Sequence, residues 1–121
     1  MGDILIVDDE RDIRELISDI LQDEGYTTRV AGTSDEAMTE INREPPDLVI
    51  LDMIMDPGID GLETYRRILK YHPGQKAILA SGYSEPEALA EISRMGVVEY
   101  LKKPYTINQI GLKVREILKR G

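Results

Sequence analysis

The chain contains no cysteine, which excludes a disulfide framework and a thiolate metal site and fits a reducing compartment. No apolar run approaches the ~20 residues of a membrane span. The start, Met1-Gly2-Asp3-Ile4, lacks the basic region of a signal peptide. A cytoplasmic protein without membrane insertion is therefore expected. Basic residues are scarce: 15 Lys+Arg against 23 Asp+Glu, a net charge of −8. Such a surface repels a phosphate backbone, so direct binding of nucleic acid is not expected. The acidity reads either as solubility or as carboxylates gathered at a cation site, and only their positions can separate the two. The one histidine, His72, stands just before Pro73 and reads as a solvated residue. No linker, repeat or low-complexity segment divides residues 1–121, a length that suits one domain burying roughly two thirds of its unfolded surface.

What is present alternates short apolar runs with longer amphipathic stretches. Ile4-Leu5-Ile6-Val7, Leu48-Val49-Ile50-Leu51 and Ala77-Ile78-Leu79-Ala80 are continuously apolar, as strands buried on both faces should be. Residues 27–30 and 97–101 read as two further strands. Ile13, Leu16, Ile17, Ile20 and Leu21 form one helical stripe, and Gly25 is its natural stop. Thr33-Ser34-Asp35-Glu36 opens a second helix as a capping box, ended by Pro45-Pro46. Asp60 caps a third helix carrying Leu62, Tyr65, Ile68 and Leu69. Ser84-Glu85-Pro86-Glu87 opens a fourth that Gly96 closes, and Ile107, Ile110, Val114, Ile117 and Leu118 mark a fifth. Five strands alternating with five helices predict a single α/β unit whose parallel sheet is covered on both faces.

Ligands of an open parallel sheet bind outside the carboxyl ends of its strands. The residues there are Asp8 and Asp9 after the first strand, Asp52 after the third, Ser81 after the fourth and Lys103 after the fifth. Three neighbouring carboxylates repel, and a raised pKa or a bound cation resolves the repulsion. Hard oxygen donors with open positions suit Mg²⁺. A carboxylate can also attack phosphorus to give an acyl phosphate, with metal, ammonium and hydroxyl holding the charge on the three transferring oxygens. Taken alone, each residue has a plainer reading: Asp9 as a helix cap, Lys102 and Lys103 as solvated lysines, Ser81-Gly82 as a turn. Their convergence on one edge favours the chemical reading.

Ile6-Val7-Asp8-Asp9-Glu10, Asp47-Leu48-Val49-Ile50-Leu51-Asp52-Met53, Asp60-Gly61, Ser81-Gly82 and Lys103-Pro104, in that order and spacing, resemble the receiver domain of two-component response regulators. The resemblance covers the whole chain. It implies a doubly wound, flavodoxin-like five-stranded sheet of order 2-1-3-4-5. It also implies a phosphoacceptor signalling domain that catalyses only its own phosphorylation and dephosphorylation. Asp52 would be the phosphorylation site, fed by a phosphohistidine on a sensor histidine kinase or histidine phosphotransfer domain. Asp9, Asp52 and the backbone carbonyl of Ile54 would bind Mg²⁺ directly and Asp8 through water, with Mn²⁺ able to substitute. Lys103 and Ser81 would contact the phosphoryl group. Ser81 and Tyr100 would form the switch, and the face made by the fourth helix, fifth strand and fifth helix would meet the output partner. A receiver attached to a hybrid sensor kinase is one form this takes.

Two departures from the family pattern stand out. Met55-Asp56-Pro57-Gly58-Ile59-Asp60-Gly61 is one residue longer than the usual loop and carries an added carboxylate, Asp56. An apolar Ile54 and a bulky Tyr83 are expected to hinder an attacking water and slow loss of the phosphoryl group. Rival readings are weaker. A phosphohydrolase with an Asp nucleophile needs a second Asp two residues on, where Ile54 stands. A pseudo-receiver acting only as an interaction module would have no need of Asp8, Asp9, Asp52, Ser81 and Lys103 together. A flavodoxin would carry a Ser/Thr/Gly-rich loop after the first strand.

Overall fold

Each apolar run becomes a strand of one parallel sheet. The computed structural model describes residues 2–52, 61–81, 99–102 and 107–119. Its strands are β1 (Asp3–Val7), β2 (Thr27–Ala31), β3 (Leu48–Asp52), β4 (Ala77–Ser81) and β5 (Glu99–Lys102). Its helices are α1 (Arg11–Asp23), α2 (Ser34–Arg43), α3 (Gly61–Tyr71) and α4 (Ile107–Lys119). The order is β2-β1-β3-β4-β5, with every neighbouring pair parallel. That is the doubly wound order the resemblance implies. The helix expected over residues 84–96 and the expected caps Asp60 and Ser84 lie outside the described residues.

Successive strand side chains point to opposite faces, and both faces here are apolar. Leu5, Val7, Val49, Leu51, Ala77 and Leu79 pack against Met38 and Ile41 of α2 and Tyr65 and Ile68 of α3. Ile4, Ile6, Leu48, Ile50 and Ile78 face the other way, onto Ile17 and Leu21 of α1 and Ile110, Val114 and Ile117 of α4. The unbroken apolar runs thus reflect two cores, one on each side. The stripe on α1 is narrower than its sequence pattern suggests. Ile17 and Leu21 are buried while Leu16 is 46% exposed, because the covered face is offset toward the Ile17, Ser18 and Leu21 side of the stripe.

The helix ends follow their local chemistry. Gly25 adopts φ 100°, a left-handed conformation that suits glycine. The Gly25 N–H donates to the Gln22 carbonyl and the Tyr26 N–H to the Leu21 carbonyl, the paired bonds of a Schellman stop. At α2 the Glu36 N–H donates to Thr33 Oγ1 at 3.1 Å. The Glu36 carboxylate reaches one residue further back than a standard capping box and accepts from the Gly32 N–H at 2.8 Å.

A polar clamp closes the amino-terminal end of the sheet. The Arg29 guanidinium on β2 donates to both oxygens of Asp3, at 3.4 and 2.6 Å, and to Glu40 Oε1 at 3.3 Å. It also donates to the carbonyls of Glu40 and Glu44 at the end of α2, at 3.0 and 2.8 Å. Burial lowers the guanidinium's pKa, but its bonds to Asp3 and Glu40 outweigh this and leave it raised. Hydrogen bonding from Arg43, then the Arg29 contacts, pull the Glu40 carboxyl below its ordinary value of 4.5. A carboxyl with a depressed folded pKa adds stability above its unfolded pKa and loses it as pH falls through the folded one. Arg29→Ala should therefore cost about 2 kcal/mol at neutral pH, between the values for exposed and buried pairs. Urea titrations should show that deficit narrowing as pH falls below the carboxyl's ordinary value of 4.5, where the unfolded chain takes up the proton first and the folded Glu40 follows at lower pH. A deficit unchanged down to pH 3 would contradict the carboxylate's part in the clamp.

Candidate functional site

The strand register decides which strand ends meet. Val7 of β1 pairs with Leu51 of β3, so Asp8 and Asp52, the next residue on each chain segment, run side by side. Asp52 pairs with Ala80, placing Ser81 one residue further along the rim. Ser81 in turn pairs with Lys102, after which Lys103 follows. The carboxyl rim of the sheet thus carries Asp8, Asp52, Ser81 and Lys102 on four adjacent strands, with Asp9 next to Asp8. Tyr100 lies in β5 opposite Leu79. The side chains of Asp52, Ser81 and Tyr100 lie outside the described set, as do Ile54, Asp56, Tyr83 and Lys103 altogether.

Asp8 is only 4% exposed. A carboxylate at that depth is costly unless hydrogen bonds or charges hold it. Its N–H donates to the Ala31 carbonyl at 3.1 Å, extending the ladder between β1 and β2 by one bond. Its Oδ1 accepts from the Glu10 N–H at 2.9 Å, and its carbonyl accepts from Arg14 Nη1 at 2.8 Å. Asp9 is half-buried. The N-cap of α1 is Glu10, in extended conformation and without a side-chain capping bond. The plainer reading of Asp9 as the helix cap is thereby not realised. Asp9 instead stands one residue before that cap, ahead of the amino end of α1.

Two consecutive hard-oxygen donors beside the end of β3 offer chemistry that suits Mg²⁺. Among the described residues no three acidic or imidazole side chains form a metal-binding group, and the third expected carboxylate, that of Asp52, is not among the described side chains. His72 sits at the opposite, amino-terminal edge, after α3. Its Nε2 lies 3.0 Å from Asn42 Oδ1, so it ties α3 to α2 rather than standing free in solvent. Arg14 carries no signal in the sequence pattern, because its partner is a backbone carbonyl six residues earlier. Among the described residues no helix is long and apolar enough to cross a membrane.

A doubly wound sheet with acidic residues on its carboxyl rim defines a class whose ligands bind where the strand order reverses. Within that class the chain belongs to the response regulator receiver domain family, whose model matches residues 4–115. Receiver domains are signalling domains of phosphorelays and take phosphate from histidine kinases. The chain is 35% identical to sporulation initiation phosphotransferase F of Bacillus subtilis over 115 residues, 95% of this chain and 92% of that protein. It is 37% identical to nitrogen assimilation regulatory protein NtrX of Azorhizobium caulinodans over 109 residues, 89% of this chain but 24% of that protein. It therefore spans about a quarter of that relative's length. The receiver domain of NtrX from Brucella abortus superposes with a TM-score of 0.88 at 36% identity, covering 98% of this chain and 99% of that one. TrrA from Thermotoga maritima, solved in complex with Mg²⁺-BeF, gives a TM-score of 0.83 at 38% identity, covering 97% and 99%.

Proposed function

We propose that the chain accepts a phosphoryl group on Asp52 from a phosphohistidine donor and switches an output surface in response. The observation that carries this reading is the register that sets Asp8, Asp52 and Ser81 on one rim. An Asp52 carboxylate oxygen attacks phosphorus, the bond from phosphorus to the donor imidazole breaks, and an acyl phosphate forms. Asp9, Asp52 and the Ile54 carbonyl would hold Mg²⁺ with Asp8 one water away. The metal supplies charge neutralisation for the transferring oxygens. Lys103 and Ser81 hold the other two oxygens. The TrrA complex with Mg²⁺-BeF supports a Mg²⁺ site in a chain of this kind.

Phosphorylation adds charge and acceptor oxygens, which draw Ser81 and Lys103 inward and let Tyr100 follow. Moving such a switch from mostly off to mostly on takes about 5.5 kcal/mol of preference between the two states. That is within reach of a few charge-assisted bonds. The output partner would read the face formed by residues 84–96, β5 and α4. The donor would be a sensor histidine kinase or a histidine phosphotransfer domain in the cytoplasm.

Intact mass after incubation with acetyl phosphate and Mg²⁺ tests the reading. One added phosphoryl group is expected, and none once the metal is chelated. A folded chain that gains nothing, either there or from a phosphorylated histidine donor, would be a pseudo-receiver serving only as an interaction module.

A further inference from the structure

We infer that Arg14 and Gly32 together form a strut that positions the Asp8-Asp9 carboxylates for the divalent cation. This rests on the proposed Mg²⁺ site. Arg14 projects from the first turn of α1, and its Nη1 donates to the Asp8 carbonyl at 2.8 Å. The Asp8 N–H is held from the other side by the Ala31 carbonyl, and its carboxylate is held by the Glu10 N–H. Both peptide groups flanking Asp8 and one of its carboxylate oxygens are thereby held, and Asp9 is the next residue on that anchored backbone.

Gly32 makes room for the strut. A methyl group at Gly32 would stand 2.8 Å from Arg14 Nη1 and 3.3 Å from Cζ, too close for the guanidinium to keep its place. The described residues with positive φ include Gly25 and not Gly32, so the backbone at Gly32 does not itself require glycine. The open side of that residue is filled by Arg14. A glycine 18 positions away in sequence and a cation on a different element therefore serve one backbone carbonyl at the site.

A cation next to a cation site is, by charge alone, unfavourable to the metal. Charge and positioning therefore predict opposite signs. Without the strut the first turn after β1 loosens, and outer partners that orient metal ligands typically carry 10- to 100-fold in affinity. Removal of the charge alone would tighten binding.

The experiment is Mg²⁺ titration of wild type, Arg14→Met and Gly32→Ala, followed by amide chemical shifts, with hydrogen exchange at Asp9 and Glu10 measured in metal-free protein. Both variants are expected to bind Mg²⁺ about tenfold more weakly and to exchange faster at those two amides. Gly32→Ala keeps every charge and displaces only the guanidinium, so its loss cannot come from net charge. Equal or tighter binding by both variants, with wild type binding normally, would overturn the strut and leave the phosphoacceptor reading intact. A wild-type chain that binds no Mg²⁺ would instead overturn the phosphoacceptor reading, and the strut's role with it.

Discussion

Lys103→Ala is expected to slow phosphoryl uptake at Asp52 by about a hundred- to a thousandfold while leaving the protein folded. The transferring group carries charge on three oxygens as the bond to the donor loosens, and a fixed ammonium at one of them stabilises that charge more than water does. Lys103 is the residue that follows Lys102, which pairs with Ser81 at the end of β4. Lys102, which pairs with Ser81 inside β5, serves as a control, since its alanine variant should react within a few-fold of wild type. Time courses of intact mass in acetyl phosphate read both rates. A loss below tenfold in Lys103→Ala would remove the ammonium from the transfer step.

Leu79→Ala should cost about 3–4 kcal/mol of folding stability, much of the 5–15 kcal/mol typical of a domain. Leu79 is fully buried at the centre of β4, paired with Leu51 on one side and Tyr100 on the other. It belongs to the core beneath α2 and α3, whose helices are tied to one another by Arg67, Ser34 and Asp35 and by His72 with Asn42. Those ties restrict how far the layer can collapse into a void, so most of the cavity cost should persist. Urea unfolding would show it as a drop in midpoint at constant slope. A loss under about 1.5 kcal/mol would mean that the layer closes over the gap.

The elements that the sequence made legible share one property: their signal is local. Ile4 to Val7 and Leu48 to Leu51 declare strands buried on two faces because both neighbouring layers demand apolar side chains. Gly25 and Thr33 declare helix ends because the bonds involved span only a few residues. The carboxyl rim was legible for a topological reason, since a parallel sheet places every residue after a strand on the same edge. What stayed hidden depends on long side chains meeting distant backbone. Arg29 reaches carbonyls 11 and 15 residues on, and Arg14 fits against Gly32 from another element. Neither periodicity nor spacing encodes such reach. The exposed Leu16 was misplaced by its stripe because helical spacing gives a direction and not the width of the surface that covers it.

Chemical trapping of the acceptor tests the central claim most directly. The chain is incubated with acetyl phosphate and Mg²⁺, treated with borohydride to reduce any aspartyl phosphate to homoserine, and mapped by peptide mass. Homoserine is predicted at position 52 alone, and only when Mg²⁺ is present. Homoserine at position 8, 9 or 56, or none in a chain shown to be folded, would contradict the assignment of Asp52 as the phosphoacceptor.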